Sequence, residues 1–159
     1  MTGSEMTVSQ WITRLVLALA GTAVAHASAA DIKPLDEAQA LFKRYVALEL
    51  AFDPAAADLY SDTAVIKNKR TYPTGQVREL SIPAPKYKEL IRQAMPIAKA
   101  RGDRNTYSDC KHDEAAERVR ITCSRYSELK KYTSPITLVV GPAPTGQWLI
   151  FEELSESQP

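Results

Sequence analysis

The stretch "SPITLVVGPAPTGQWLIFEELSES" (134–157) contains two apolar runs, "PITLVV" and "GQWLIFEEL", separated by a Gly/Pro-rich turn. Both are apolar at consecutive positions, so the two faces of the sheet they form each require cover. They close a series of four strand-like runs, 105–111, 118–127, 131–140 and 146–154, joined by short turns. Helical periodicity lies upstream. In "PLDEAQALFKRYVALELAFDP" (34–54), Leu41, Tyr45, Leu48 and Phe52 recur on one helix face, behind an expected Asp36 N-cap with Gln39 three residues on. "PAAADLY" predicts a short second helix, and Ser61-Asp62 a turn into the strand "TAVIKNKR". "TYPTGQ" is a turn. "APKYKELIRQAMPIAKARG" (84–102) is a helix with an apolar stripe of Tyr87, Leu90, Ile91, Ala94 and Ile97. Pro96 is expected to kink or split it, and Gly102 to stop it. Helices first and strands last define an α+β fold with an antiparallel meander. Helices can cover only one face of such a sheet. The other face predicts a homodimer centred on 136–140 and 147–151, where Leu149 and Phe151 would otherwise be exposed.

The chain has 159 residues, 45% apolar and 25% charged, with a formal net charge of +1. That is ordinary globular composition, and no global field points to nucleic acid or a membrane surface. Arg14 precedes "LVLALAGTAVA" (15–25) and then "AHASAAD", the pattern of an n-region, an h-region too short to span a bilayer, and a small-residue cleavage site. Residues 1–30 are therefore expected to be a signal peptide, cut after Ala27 or Ala30, and residues 31–159 a single domain. No cysteine follows the apolar run, so no lipid anchor is expected, and the mature protein is expected to be periplasmic or secreted.

Export favours pairing the two cysteines, Cys110 and Cys123. A tight hairpin at Glu114-Ala115 would set Cys110 opposite Val119, so a bridge needs "KHDEAAER" to be a wide loop or one strand to bulge. Two buried thiols are the alternative. After cleavage His112 is the remaining histidine, best read as a solvated loop residue. One histidine and two cysteines can hardly build a zinc site or a Ser-His-Asp triad. No phosphate loop or acyl-nucleophile motif occurs, so no cofactor and no metal are implied. Residues 67–104 hold ten Lys/Arg against three acids, and 31–62 three against seven. The basic segment reads as a solvated face paired to the acidic one, or as an attractor of an anionic ligand or envelope surface. It lacks the aromatic interleaving of a nucleic-acid platform.

With these features in place, the chain resembles the nuclear transport factor 2-like superfamily, which includes ketosteroid isomerases and polyketide cyclases. The resemblance covers roughly residues 36–155 and rests on "RYVALELAFDPAAADLYSDTAVIKN" and "SPITLVVGPAPTGQWLIFEELSES". It implies a strongly curved, mostly antiparallel sheet wrapped by the N-terminal helices into a cone around a cavity. It also implies sites. Tyr45 matches the isomerases' oxyanion-donating tyrosine, Asn68 stands where their base would be, and Thr137, in Pro135-Ile136-Thr137, stands where a protonated Asp would donate. An amide cannot accept a proton near working pH, and a hydroxyl is a weaker donor than a neutral carboxylic acid. The isomerase carboxylates are thus replaced. The resulting expectation is an exported, non-catalytic domain holding a small, mainly apolar molecule, with Tyr45, Tyr60, Asn68, Tyr87 and Thr137 at the ligand. The alternatives are a cyclase or dehydratase using another carboxylate, such as Asp62, Asp109 or Glu128, and an envelope protein-interaction domain.

Overall fold

The computed structural model describes residues 33–158. The expected signal peptide lies outside the described residues. Helix α1 spans Pro34–Leu50. It starts before Asp36, because Pro34 at the first helical position gives up an N–H that would lack an intrahelical partner anyway. Asp36 and Glu37 lie in its first turn, where their charge suits the helix dipole, and no side chain caps it. Ala38, Leu41 and Tyr45 are its buried stripe. Phe52 falls just beyond the helix, at φ 56°. Asp53 then accepts from the Ala55 N–H at 2.8 Å and starts a 3-10 helix, Pro54–Leu59.

Strand β1, Tyr60–Thr71, includes Ser61 and Asp62 as strand residues, where a turn was expected. Gly75, at φ 82°, turns the chain into β2, Val77–Pro83, a strand the sequence did not announce. Helix α2 covers Ala84–Arg101 and runs through Pro96 without a break. Pro96 is exposed, so the carbonyl it leaves unpaired can turn toward water. Of the expected α2 stripe, Tyr87 and Ile91 pack on the core, while Leu90 and Ile97 are exposed. Gly102 ends the helix in the left-handed conformation, at φ 63°.

Strands β3 (Asn105–Ala115), β4 (Arg118–Ser127), β5 (Tyr132–Pro142) and β6 (Trp148–Ser157) complete one sheet, ordered β2-β1-β6-β5-β4-β3. Only β1 and β6 run parallel. The 3-10 helix and α2 pack along β1, and α1 lies over β3 to β6. The architecture is the expected α+β cone, a mixed sheet with helices over one face.

Strand alternation resolves the doubly apolar runs. Ile136, Leu138, Val140 and Ile150 turn inward and are almost wholly buried, together with Ile66, Val119 and Ile121. Phe151 occupies an irregularity between Val140↔Ile150 and Val139↔Glu152, and the Arg118 guanidinium lies 3.3 Å from its ring centre. Part of the surface expected to need a partner is therefore covered within the chain.

The cysteines are bridged, Cys110 to Cys123. The hairpin is tight, but it turns two residues later than expected. Ala115 pairs with Arg118, Lys111 with Thr122, and Ala116 takes φ 53°. That register sets Cys110 across from Cys123, and the shift between Ser108 and Lys111 absorbs Asp109 as the extra residue, at φ 53°. His112 consequently lies on β3 opposite Ile121, half-buried, and not in a solvated loop. A disulfide of this kind belongs to an oxidising, non-cytoplasmic setting. Among the described residues, no helix is long and apolar enough to cross a membrane.

Candidate functional site

The inner face of the sheet is apolar at one end and polar at the other. From Ile66, β1 continues inward-facing through Asn68 and Arg70, and β6 runs from Glu153 through Ser155 and Ser157. Together with Leu80 and Ile82 of β2, Tyr87 of α2 and Arg125 of β4, these residues line a pocket of about 350 Å³. Its wall on the β2 side is aliphatic; its floor carries an amide, two hydroxyls, a carboxylate and guanidinium groups. Pockets of this size, with a few convergent polar groups, are the usual seats of small molecules.

Glu153 is the one fully buried charged residue among the described residues. Tyr60 donates to its Oε2, and Tyr87 donates to Oε1 at 2.9 Å. The two rings meet edge to face at 5.3 Å. Burial raises both phenols well above their ordinary pKa, and the nearby Glu153 charge adds to this, so each stays a donor. Asn68 donates to Ser155 Oγ at 3.0 Å and accepts from Ser157 Oγ at 2.9 Å. Its amide is thereby fixed, with no lone pair suited to taking a proton.

A second tyrosine–carboxylate cluster lies where α1 meets β3. Glu49 accepts from Tyr107 and, at 2.9 Å, from Asn105, while the Tyr107 hydroxyl is 3.4 Å from that of Tyr45. Burial pushes the Glu49 carboxyl up, against the pull of these two donors. Burial likewise raises Tyr45 and Tyr107, with Glu49 the next cause.

The expected site residues therefore separate. Tyr87 and Asn68 line one pocket, and Tyr60 joins them through Glu153. Tyr45 is buried beside the other cluster. Thr137 is on the outer face: Ile136 and Leu138 point inward, so Thr137 points away and meets Thr122 at 3.3 Å. It borders an outer depression of about 360 Å³ with Lys67, Lys69, Pro135, Leu154 and Glu156. A groove of about 430 Å³ between α1 and β3, lined by Phe42, Val46 and Leu50, is apolar and gathers few polar groups.

The alternative carboxylates are also displaced from the pocket. Asp62 is exposed and paired with Lys88 at 2.6 Å; that hydrogen bond lowers its pKa. Asp109 is the bulge residue and Glu128 lies in the β4–β5 turn; both are exposed. Glu153 and Glu49 were missed. "FEELSES" reads as an acidic end, although alternation from the inward-facing Ile150 would have reached Glu153 but for the irregularity at Phe151.

The fold is that of the NTF2-like proteins. Solved structures similar to this chain include an NTF2-like protein with a cystatin-like fold from Novosphingobium aromaticivorans (14% identity, TM-score 0.54), covering 77% of this chain and 80% of that one. An NTF2-like protein of unknown function from Pseudomonas putida has 12% identity and TM-score 0.58 over 76% of this chain and 84% of its own. A candidate ketosteroid isomerase from Parabacteroides distasonis has 16% identity and TM-score 0.52 over 79% and 88%. No protein-family model and no curated protein matches the sequence.

Proposed function

We propose that this chain is an exported domain that binds a small, mainly apolar molecule in the mouth of its cone without transforming it. The observation that carries the reading is the pocket of about 350 Å³, with an aliphatic wall of Ile66, Leu80 and Ile82 facing the polar groups of Asn68, Ser155 and Arg125. Binding without catalysis fits the chemistry of the two central groups. Asn68 cannot act as a base. Glu153 already has each oxygen occupied by a phenol, which lowers its appetite for a further proton. Tyr87 and Asn68 are the proposed ligand contacts, with Tyr60 holding Glu153 in place.

The disulfide supports export, and the outer face supports a homodimer: Val65, Tyr126 and Leu154 are exposed there, beside Val139 and Thr137. Light scattering that finds monomer alone at micromolar concentration removes the dimer.

The test of binding is thermal unfolding against a graded series of compact neutral hydrophobes, after native mass spectrometry of gently purified protein. Saturable stabilisation is expected, about 2.7 kcal/mol at a hundredfold excess over Kd. A midpoint that no member of the series moves overturns the reading. One observation favours the enzyme alternative, a buried carboxylate at a pocket wall. Turnover of an enolisable ketone or hydratable alkene that Glu153→Gln abolishes, with the fold intact, would establish it.

A further inference from the structure

The mouth carries positive charge that the protein leaves unanswered. Arg70 on β1 stands directly opposite Arg78 on β2, and its partner on the other side is Ser157 of β6. Across the sheet, Arg125 of β4 is paired with Ser134 of β5. Ile136 pairs with Ser155, so Ser134 and Ser157 lie one inner-face step further toward the same rim. A single transverse row thus presents Arg78, Arg70, Ser157, Ser134 and Arg125. Like charges directly opposite each other weaken a hairpin, so folding alone does not call for Arg70 against Arg78.

Elsewhere the basic segment is neutralised. Lys88 pairs with Asp62 and Arg92 with Asp58, both acids of the 31–62 segment, while Lys69 meets Glu156 and Lys86 meets Glu89. Among the described residues, none of the three row arginines is in an ion pair. Arg70 Nε is buried with no hydrogen-bond partner. Arg125 directs one amino nitrogen to Glu156 O at 2.8 Å and Ser134 Oγ at 3.4 Å. Both arginines line the mouth pocket, next to Leu80 and Ile82.

We infer that the ligand is amphipathic, with a carboxylate head group held by Arg70 and Arg125, drawn in by Arg78 at the rim, and an apolar body laid along Ile66, Leu80 and Ile82. The inference rests on the mouth pocket being the ligand site. A guanidinium fork matches the two oxygens of a carboxylate and donates charge-assisted hydrogen bonds to both. A single negative charge fits better than a double one, because Glu153 lines the same pocket and repels each added charge.

Calorimetric titration of the full chain with octanoate, 1-octanol and octyl phosphate tests this. Octanoate should bind about tenfold tighter than 1-octanol, and added salt should narrow the gap. Arg70→Gln should lose about tenfold in octanoate affinity and leave octanol unchanged. Arg78→Gln, at an exposed position, should show a smaller loss of the same sign and serves if Arg70→Gln fails to fold. Equal affinity for octanoate and octanol, or an octanoate preference that neither variant alters, overturns the carboxylate inference while the pocket reading stands. Tighter binding of octyl phosphate than of octanoate overturns the carboxylate assignment. Failure of all three probes to bind overturns both.

Discussion

Along β1, β5 and β6 the inner face changes chemistry within two steps of strand alternation. At the closed end, Ile66, Leu138, Val140 and Ile150 lie with Val119 and Ile121 beneath the helices and make a dry core. At the mouth, the same strands present Asn68, Arg70, Ser134, Ser155 and Ser157. The closed end obeys every rule for stability. The mouth breaks them, placing amides, hydroxyls and opposed arginines where apolar residues would pack better. Departures of that kind are expected where a site constrains the sequence more than folding does. Glu153 marks the boundary, since it is buried like the core and satisfied by two phenols like a site residue.

The sharpest way to break this contrast is to truncate one residue on each side of the boundary. Leu138→Ala, at the closed end, should cost about 3 kcal/mol in denaturant unfolding, because it leaves a cavity the neighbouring strands cannot fill. A cost below about 1 kcal/mol would mean that the closed end is loosely packed. Tyr60→Phe should cost less, about 2 kcal/mol, by leaving Glu153 buried with one of its two donors. Tyr60 is itself wholly buried, so a neutral outcome would mean that the phenol–carboxylate contact contributes nothing to the boundary.

Glu49 sharpens the comparison through pH. Its folded-state pKa is raised, chiefly by burial, above the ordinary 4.5. The native state therefore holds this proton more tightly than the unfolded chain does. Its contribution is fully present below about 4.5 and is lost as pH rises through the folded value. Glu49→Gln should flatten that fall in stability when unfolding is measured across the weakly acidic range, and an unchanged slope would assign it to another group. The smallest effect is expected at the rim. Arg70→Gln should change stability by no more than about 0.5 kcal/mol, with a gain as likely a sign as a loss once the charge opposite Arg78 is removed. A cost above about 2 kcal/mol would make Arg70 part of the packing and erase the distinction between core and mouth.

The sequence by itself determined the α+β order, the buried face of α1, the Gly102 stop and the meander of β3 to β6, because each is written in local periodicity and turn chemistry. It left open how the cysteines could meet, since a hairpin register hinges on where a turn falls: moving the turn from Glu114-Ala115 to Ala116-Glu117 shifts the pairing by four residues. It did not reveal β2, an exposed edge strand with little apolar alternation. Tertiary structure alone decided the site. Which of Glu152 and Glu153 is buried depends on an irregularity at Phe151, and which face receives Thr137 depends on where the helices dock. The pairing of Arg70 with Arg78, and the convergence of Tyr60 and Tyr87 on Glu153 from 93 and 66 residues away, are long-range facts. Periodicity records what each segment needs to bury; it carries no record of which distant polar groups that burial will bring together.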